Sequence, residues 1–322
     1  MPDNLFESHE LTKYFPIKSV IREIGRVHAV EQVDLAIPVG STVGLVGESG
    51  CGKTTYARTL LHLLKPTSGQ VLFRGEDVAS FSRKQMKAFR RDTAIVFQDP
   101  YSSLDPRMVI AEVVGEPLGI HKVAMGEDRD DIVLSLLERV GLKEEHMYRY
   151  PHEFSGGQRQ RLAIARALAA EPQFILLDEA TSALDVSVQA KILNMLGKLK
   201  TEFQLTYLFI SHNLSVVRHL SDRIGVMYVG ELIEFGTREQ VFDNPTHPYT
   251  RGLLAAAPSL DPDERNRPRE VALEGEVPSA VNPPTGCRFH PRCPNRKPDC
   301  ERVKTELIDT GDGHLVACIP ER

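Results

Sequence analysis

Nine residues constrain this chain more than any others: Gly47-Glu-Ser-Gly-Cys-Gly-Lys-Thr-Thr55. An apolar run, Ser41–Val46, enters them, and a helix-like run, Tyr56–Leu64, leaves them. They fit the pattern G-x-x-x-x-G-K-[ST], the P-loop, in the strand–turn–helix setting that gives the pattern physical meaning. Glycines let the amides of such a turn face inward and hold phosphate oxygens. The helix N-terminus adds partial positive charge. Lys53 has the reach for β- and γ-phosphates, and Thr54 has a hydroxyl for Mg²⁺. Strands alternating with helices along the rest of the chain mean an α/β sheet around this turn.

The remaining pattern agrees. Short strands are expected at Glu10–Phe15, Val27–Val30 and Val33–Ile37, with Pro16–Arg26 as a polar hairpin tip or insertion. Lys65-Pro-Thr-Ser-Gly69 stops the helix after the P-loop. A strand at Gln70–Gly75, a basic helix at Phe81–Arg91 and a buried strand at Thr93–Phe97 follow. Asp99–Pro106 reads as loop and Val109–Val140 as helical, closed by Gly141. Further helices are expected at Arg159–Ala170, Val188–Phe203 and Leu214–Leu220. Buried strands are expected at Phe174–Leu177 and Thr206–Ile210, and a closing hairpin at Arg223–Val229 with Leu232–Phe235. Prolines and charges rise from about Asp243, and Asp261–Glu270 reads as a charged linker or arm.

Composition narrows the function classes. With 322 residues, 41% of them apolar, the chain has material for one large domain and a smaller one. A net charge of −5 argues against nucleic-acid binding through bulk basicity. No apolar run has the length of a membrane helix, and the N-terminus lacks the pattern of a signal peptide. The chain is therefore expected in the cytosol, reaching a membrane only through partners.

Two further stretches carry chemistry. Phe174-Ile-Leu-Leu-Asp178-Glu179 is a buried strand ending in two carboxylates. Asp178 is placed for a Mg²⁺ shell, and Glu179 for a general base that polarises water. Ser155-Gly-Gly-Gln158 opens a helix: Ser155 suits an N-cap, and the glycines expose amides, as at a second phosphate-binding helix end.

Phe154-Ser-Gly-Gly-Gln158 is similar to the signature motif of ABC-type ATPases, whose usual first residue is leucine. That family's other motifs occur in order. Gln98 matches the Q-loop, Ser182-Ala-Leu-Asp185 the D-loop and His212 the switch histidine, with Asn213 where many relatives have aspartate. Phe15, beside Tyr14, lies where the family places an adenine-stacking aromatic. The resemblance covers about residues 8–240. It implies an α/β P-loop NTPase (RecA-like) nucleotide-binding domain with antiparallel β and α-helical subdomains, the helical one at about 99–158. It implies that Gly47, Ser49, Gly50, Gly52, Lys53, Thr54 and Thr55 hold ATP phosphates and Mg²⁺. Gln98 would sense metal and water, Asp178 would support Mg²⁺, Glu179 would be the base, and His212 would meet the γ-phosphate. Ser155, Gly157 and Gln158 would serve a nucleotide bound by a facing subunit. Packing in the core is the alternative for Phe15.

Ile95–Pro106, Tyr150–Arg161, Ser182–Gln189 and Asn244-Pro-Thr-His-Pro-Tyr-Thr250 resemble one branch, the ATPases of dipeptide and oligopeptide importers, most closely the second, F-type subunit. That branch implies domains at 1–243 and 244–322. Its partners would be a second, non-identical ATPase, two transmembrane permease subunits and an extracytoplasmic peptide-binding protein, with no nucleic acid. The site of action would be the cytoplasmic face of the cell membrane. A cargo such as haem or a metal chelate, or a soluble non-transport role, is the alternative.

Of five cysteines, Cys51 lies in the P-loop, while Cys287, Cys293, Cys300 and Cys318 crowd the tail. Four thiolates suit structural Zn²⁺ or a [4Fe–4S] cluster, with His290 and His314 as substitute ligands, or they remain unligated. The lack of a C-x₂-C pair weakens a zinc ribbon. The peptide-importer branch has members whose similar tail ligates [4Fe–4S], so the resemblance implies that cluster.

Overall fold

The computed structural model describes residues 4–19, 23–182, 184–256 and 273–318. The charged arm expected at Asp261–Glu270 and Ala183 of the D-loop stretch lie outside them. The chain divides into two compact units, one built from Pro38–Thr42 and Ser80–Ser211, the other from Asn4–Ile37, Val43–Ala79 and His212–Arg322.

The second unit opens with β1 (Asn4–Lys18), β2 (Glu23–Pro38), β3 (Thr42–Val46), α1 (Lys53–Leu60), β4 (Ser68–Phe73) and β5 (Glu76–Asp77). Strands β1 and β2 run well past the short strands expected. Two residues with left-handed φ, Glu10 at 47° and Gln32 at 48°, explain how. Both bend the backbone locally, and Glu10 sits at a break in register between His9 and Thr12, a bulge that does not end the strand. Thr12 ties them, its hydroxyl donating to the Glu10 carbonyl and accepting from the Gln32 amide. The resulting antiparallel sheet has the order β2-β1-β4-β5. Helix α1 begins at Lys53, earlier than Tyr56, and ends at Leu60 because His62 turns to φ 53°.

The first unit continues with α2 (Arg83–Asp92), β6 (Thr93–Val96), α3 (Pro100–Ser103), α4 (Ile110–His121), α5 (Glu127–Arg139), α6 (Gly156–Leu168), β7 (Phe174–Asp178), α7 (Val186–Phe203) and β8 (Thr206–Ile210). Strands β6, β7 and β8 pair in parallel. Every residue of β7 and β8 is buried, as the unbroken apolar runs required. Two expectations change here. The segment 99–106 contains one helical turn, α3, because the Asp99 carboxylate accepts the Tyr101 amide and Pro100 stands at the first helical position. The segment 109–140 is two helices, since Lys122 takes the left-handed conformation after His121.

Arginines of the α6 region staple the helices of this unit to one another. Arg166 donates to the Ser103 carbonyl and to Glu116, and Arg161 donates to the Val140 carbonyl at the end of α5. Arg159 donates to the Pro151 and His152 carbonyls and lies over the Tyr101 ring.

The second unit resumes with α8 (Leu214–Leu220), β9 (Arg223–Tyr228), β10 (Glu231–Thr237), α9 (Arg238–Asp243), α10 (Pro248–Ala256), β11 (Ile308–Asp309) and β12 (Leu315–Val316). Val229 and Gly230, both with φ above zero, make the tight turn between β9 and β10. Strand β3 runs parallel to β9, while the tail strand β12 pairs antiparallel to β10, Glu234 and Phe235 facing Val316 and Leu315. The C-terminal segment thus completes this unit's sheet.

Candidate active site

The glycine turn has a shape that side chains would spoil. A Cβ on Gly47, at φ 146°, would lie 2.2 Å from the Met227 carbonyl oxygen. One on Gly52, at φ 107°, would lie 2.0 Å from that of Ala29. Gly52 caps α1, and Lys53 follows as a buried residue, only 4% exposed. Its Nζ donates to the carbonyls of Gly47 at 2.8 Å and Glu48 at 3.0 Å. An ammonium held inside its own loop is preorganised to face anions there. Ser49 and Gly50 are exposed, and Thr54 and Thr55 are half-buried. Cys51 is buried, its thiol pushed up by that burial. Phe15 is half-buried beneath the Lys13 ammonium, 5.1 Å from the ring centroid. Tyr14 instead packs on His28 and donates to Glu31 at 2.6 Å. His212 is exposed, one residue before Asn213 caps α8 by accepting the Ser215 and Val216 amides.

The first unit gathers the acidic and signature residues. Asp178 ends β7 at 5% exposure. Glu179 takes φ 51°, its amide donating to the Ile210 carbonyl. Such a left-handed turn just past a rigid strand stores some backbone strain, of the kind that gathers at functional sites. The Ser182 hydroxyl donates to the Glu179 carbonyl at 3.0 Å, and the Gln98 amide approaches that hydroxyl at 3.5 Å. The Q-loop and D-loop matches thus meet beside Glu179. Asp185 caps α7, accepting from the Val188 amide and the Ser187 hydroxyl, and the first of these bonds chiefly holds its carboxyl low. Ser155 caps α6: its hydroxyl accepts the Gln158 amide while Gln158 accepts the Ser155 amide, a reciprocal capping box. Ser155 and Gly156 are exposed, and Phe154 is buried against His146.

The C-terminal segment reaches the P-loop, which no motif announced. Tyr249 is fully buried, and its phenol oxygen accepts the Glu48 amide at 2.9 Å. Arg292 grips the Glu48 carboxylate with both terminal nitrogens, at 2.7 and 3.2 Å. That pair holds the guanidinium above its usual range. The His-Pro-Tyr element explains itself. His247 accepts the Tyr249 amide through Nδ1 at 3.1 Å, so it is neutral, and burial lowers its pKa to about 3. The amides of Thr246 and His247 donate to Glu234, which His314 also meets at 2.8 Å. His314 is thus engaged with a buried carboxylate.

Arg288 pairs with Glu31 at 2.7 Å and Glu231 at 3.2 Å and donates to the Val229 carbonyl. Burial raises Glu231 to about 7. Burial would also raise Glu31, yet hydrogen bonds from Tyr14, His28 and Arg288 hold it low.

Cys287, Cys293, Cys300 and Cys318 all line one cavity of about 440 Å³, with His247 and His290 in its wall. None of the four is joined in a disulfide. They line the walls rather than converge: among the described residues, no three His, Cys, Asp or Glu side chains form a ready-made metal site. His290 Nδ1 lies 2.9 Å from the Cys287 carbonyl oxygen.

Known proteins bear on both ends of the chain. Residues 30–182 match the family model described as ABC transporter, and residues 233–300 match that described as oligopeptide/dipeptide transporter, C-terminal region. The oligopeptide transport ATP-binding protein AppF of Bacillus subtilis (strain 168) is 47% identical over 319 residues, 98% of this chain and 97% of the relative. The dipeptide transport ATP-binding protein DppF of Escherichia coli (strain K12) is 45% identical, over 98% of this chain and 93% of the relative. Among solved structures, the ATP-binding cassette MJ0796, a dimer in a post-hydrolysis state bound to ADP and Pi, superposes with a TM-score of 0.65 at 33% identity. It covers 72% of this chain and 98% of its own. A cassette that folds like these, continuous with a matching C-terminal region, places the chain in the ABC transporter family of ATPases, in the branch that carries the oligopeptide/dipeptide transporter C-terminal region.

Proposed function

We propose that this chain is the ATP-hydrolysing subunit of an importer for dipeptides or oligopeptides, acting peripherally at the cytoplasmic face of the cell membrane. The observation that carries the proposal is the near-full-length likeness to peptide-transport ATP-binding proteins, through the C-terminal region as well as the cassette. Among the described residues no helix is long and apolar enough to cross a membrane, so permease subunits would supply the path. The partners would be two such subunits, a second, non-identical ATPase and an extracytoplasmic peptide-binding protein.

In this reading Gly47, Ser49, Gly50, Gly52, Lys53, Thr54 and Thr55 hold the phosphates, and Phe15 stacks on adenine. Thr54, Gln98 and Asp178 offer oxygen donors of the hard kind that Mg²⁺ takes, and the ion would neutralise phosphate charge. Glu179 is the general base. His212 contacts the γ-phosphate. Ser155, Gly157 and Gln158 serve the facing subunit's nucleotide, in keeping with the exposure of Ser155.

Residues 244–322 form the branch's C-terminal extension, and we assign its four thiols to a [4Fe–4S] cluster, with Zn²⁺ as the alternative. Soft sulfur donors around one cavity have the chemistry either would take, and would have to draw together to bind it. Iron assay and visible absorbance of anaerobically purified protein separate the two; a colourless protein carrying zinc would overturn the cluster.

Function is tested with the whole complex in proteoliposomes loaded with ATP. Labelled dipeptide should accumulate, and Glu179→Gln should lower both uptake and hydrolysis roughly a hundredfold or more, the scale of lost general-base catalysis. ATP hydrolysis without peptide accumulation would overturn the cargo. Unchanged hydrolysis in Glu179→Gln would overturn the base.

A further inference from the structure

The family's motifs account for Gly47, Lys53 and Thr54 but leave Glu48 without a task. It occupies a variable position of G-x-x-x-x-G-K-[ST], and its side chain points away from a phosphate's needs, since a carboxylate repels anions. In this protein the C-terminal segment takes hold of it twice. The Tyr249 phenol accepts its backbone amide, and Arg292 makes a two-pronged ion pair with its carboxylate. The Arg292 side chain is 5% exposed and that of Glu48 is 26% exposed, so this is no solvated surface pair. Two-pronged pairs of this kind fix orientation as well as charge.

We propose that Tyr249 and Arg292 are positioning residues for the phosphate-binding loop, and that nucleotide affinity therefore depends on the folded C-terminal segment. The physical chain is short. Glu48 lies between Gly47 and the exposed Ser49, and its carbonyl, with that of Gly47, receives the Lys53 ammonium. Holding the Glu48 amide and carboxylate thus holds the carbonyls that hold Lys53. Without Tyr249 the amide loses its acceptor. Without Arg292 the carboxylate is left beside the loop uncompensated, where it would repel anions bound there.

The hold is itself rigid. Arg292 Nε donates to the Glu274 carbonyl, and its guanidinium lies against Tyr228. Tyr228 and Tyr249 pack together at 4.6 Å and both pack on Phe289. Arg292 immediately precedes Cys293 of the thiol cavity. A change in what that cavity holds is therefore one peptide bond from the Glu48 grip.

The proposal rests on the ATPase activity but not on the cargo, and its test uses the assembled complex with ATP as the probe. Tyr249→Phe keeps the packed ring and removes one oxygen. Arg292→Met keeps length and removes charge, and Arg292→Lys restores charge without the fork. Tyr249→Phe and Arg292→Met should each raise KM for ATP by roughly fivefold, the scale of one lost charge-assisted or preorganising hydrogen bond, with kcat changed less than about twofold. Arg292→Lys should recover part of the affinity. A purely structural role predicts lowered thermal stability with KM unchanged, and that result in Tyr249→Phe overturns the proposal. Should Arg292→Met fail to fold, Tyr249→Phe decides alone. Loss of kcat at constant KM would also overturn it, placing the pair in the chemical step.

Discussion

His247 shows how one residue converts burial into a pH dependence. Its Nδ1 accepts the Tyr249 amide, and its pKa lies near 3 against 6.5 when unfolded. The unfolded chain therefore binds more protons between those values, and stability falls as pH drops from about 6.5 towards 3. His247→Asn, which keeps an acceptor but does not titrate, should flatten that fall by about 1.4 kcal/mol per pH unit. Thermal unfolding of both proteins between pH 6.5 and 5 checks this; equal slopes would remove His247 from the account. Glu231 works in the opposite sense. Its folded pKa, about 7, stands above the unfolded 4.5, so its contribution is present below 4.5 and is lost as pH rises through 7. The variant comparison cancels that background. At this scale the sequence was half legible. Gly47 and Gly52 could be read because only glycine fits their φ and clearance. The Glu48–Arg292 pair could not, because its partners stand 244 positions apart and no local period links them.

Among the elements, legibility followed how much of the outcome was local. Thr206–Ile210 appears as expected because a short run rich in β-branched and aromatic residues suits a strand buried on both sides. Leu214–Leu220 appears as expected because Asn213 supplies its own cap. The split of 109–140 into α4 and α5 was hidden. It turns on an exposed lysine in the left-handed region, which propensity disfavours, its amide closing the helix end by bonding back to the Gly119 carbonyl. The basic helix α2 is the simplest test of local control. Its Ser82 makes a full capping box with Gln85 on an exposed face. Ser82→Ala should cost about 1 kcal/mol in denaturant unfolding, with ATP affinity unchanged. A cost near zero would mean that packing of Phe89, not the cap, holds the helix.

For the whole molecule, the proposed service of Ser155, Gly157 and Gln158 to a facing subunit's nucleotide would make the ATPase a property of an assembly. The start of α6 is exposed, with Ser155 and Gly156 open to a second subunit. Isolated chain at low concentration should hydrolyse ATP poorly although every catalytic residue is present. Its specific activity should rise with protein concentration or on adding the partner ATPase. Specific activity independent of dilution over a hundredfold range would show that a single copy suffices. No statistic of this sequence states that dependence; it comes from reading Ser155–Gln158 together with Lys53 as halves of different sites.

The pairing of β12 with β10 has a practical corollary for anyone tempted to cut the cysteine segment away. Leu315 and Val316 cover the outer edge of β10 at Glu234 and Phe235, while His314 Nε2 lies 2.8 Å from the carboxyl of Glu234, which has no exposure at all. Truncation would leave an apolar strand edge bare and a buried carboxyl short of a hydrogen-bond partner, which is a recipe for self-association. Insolubility of such a fragment would be a symptom of an amputated sheet and would say nothing about redox chemistry. Single cysteine replacements keep the strand in place and let the two be told apart.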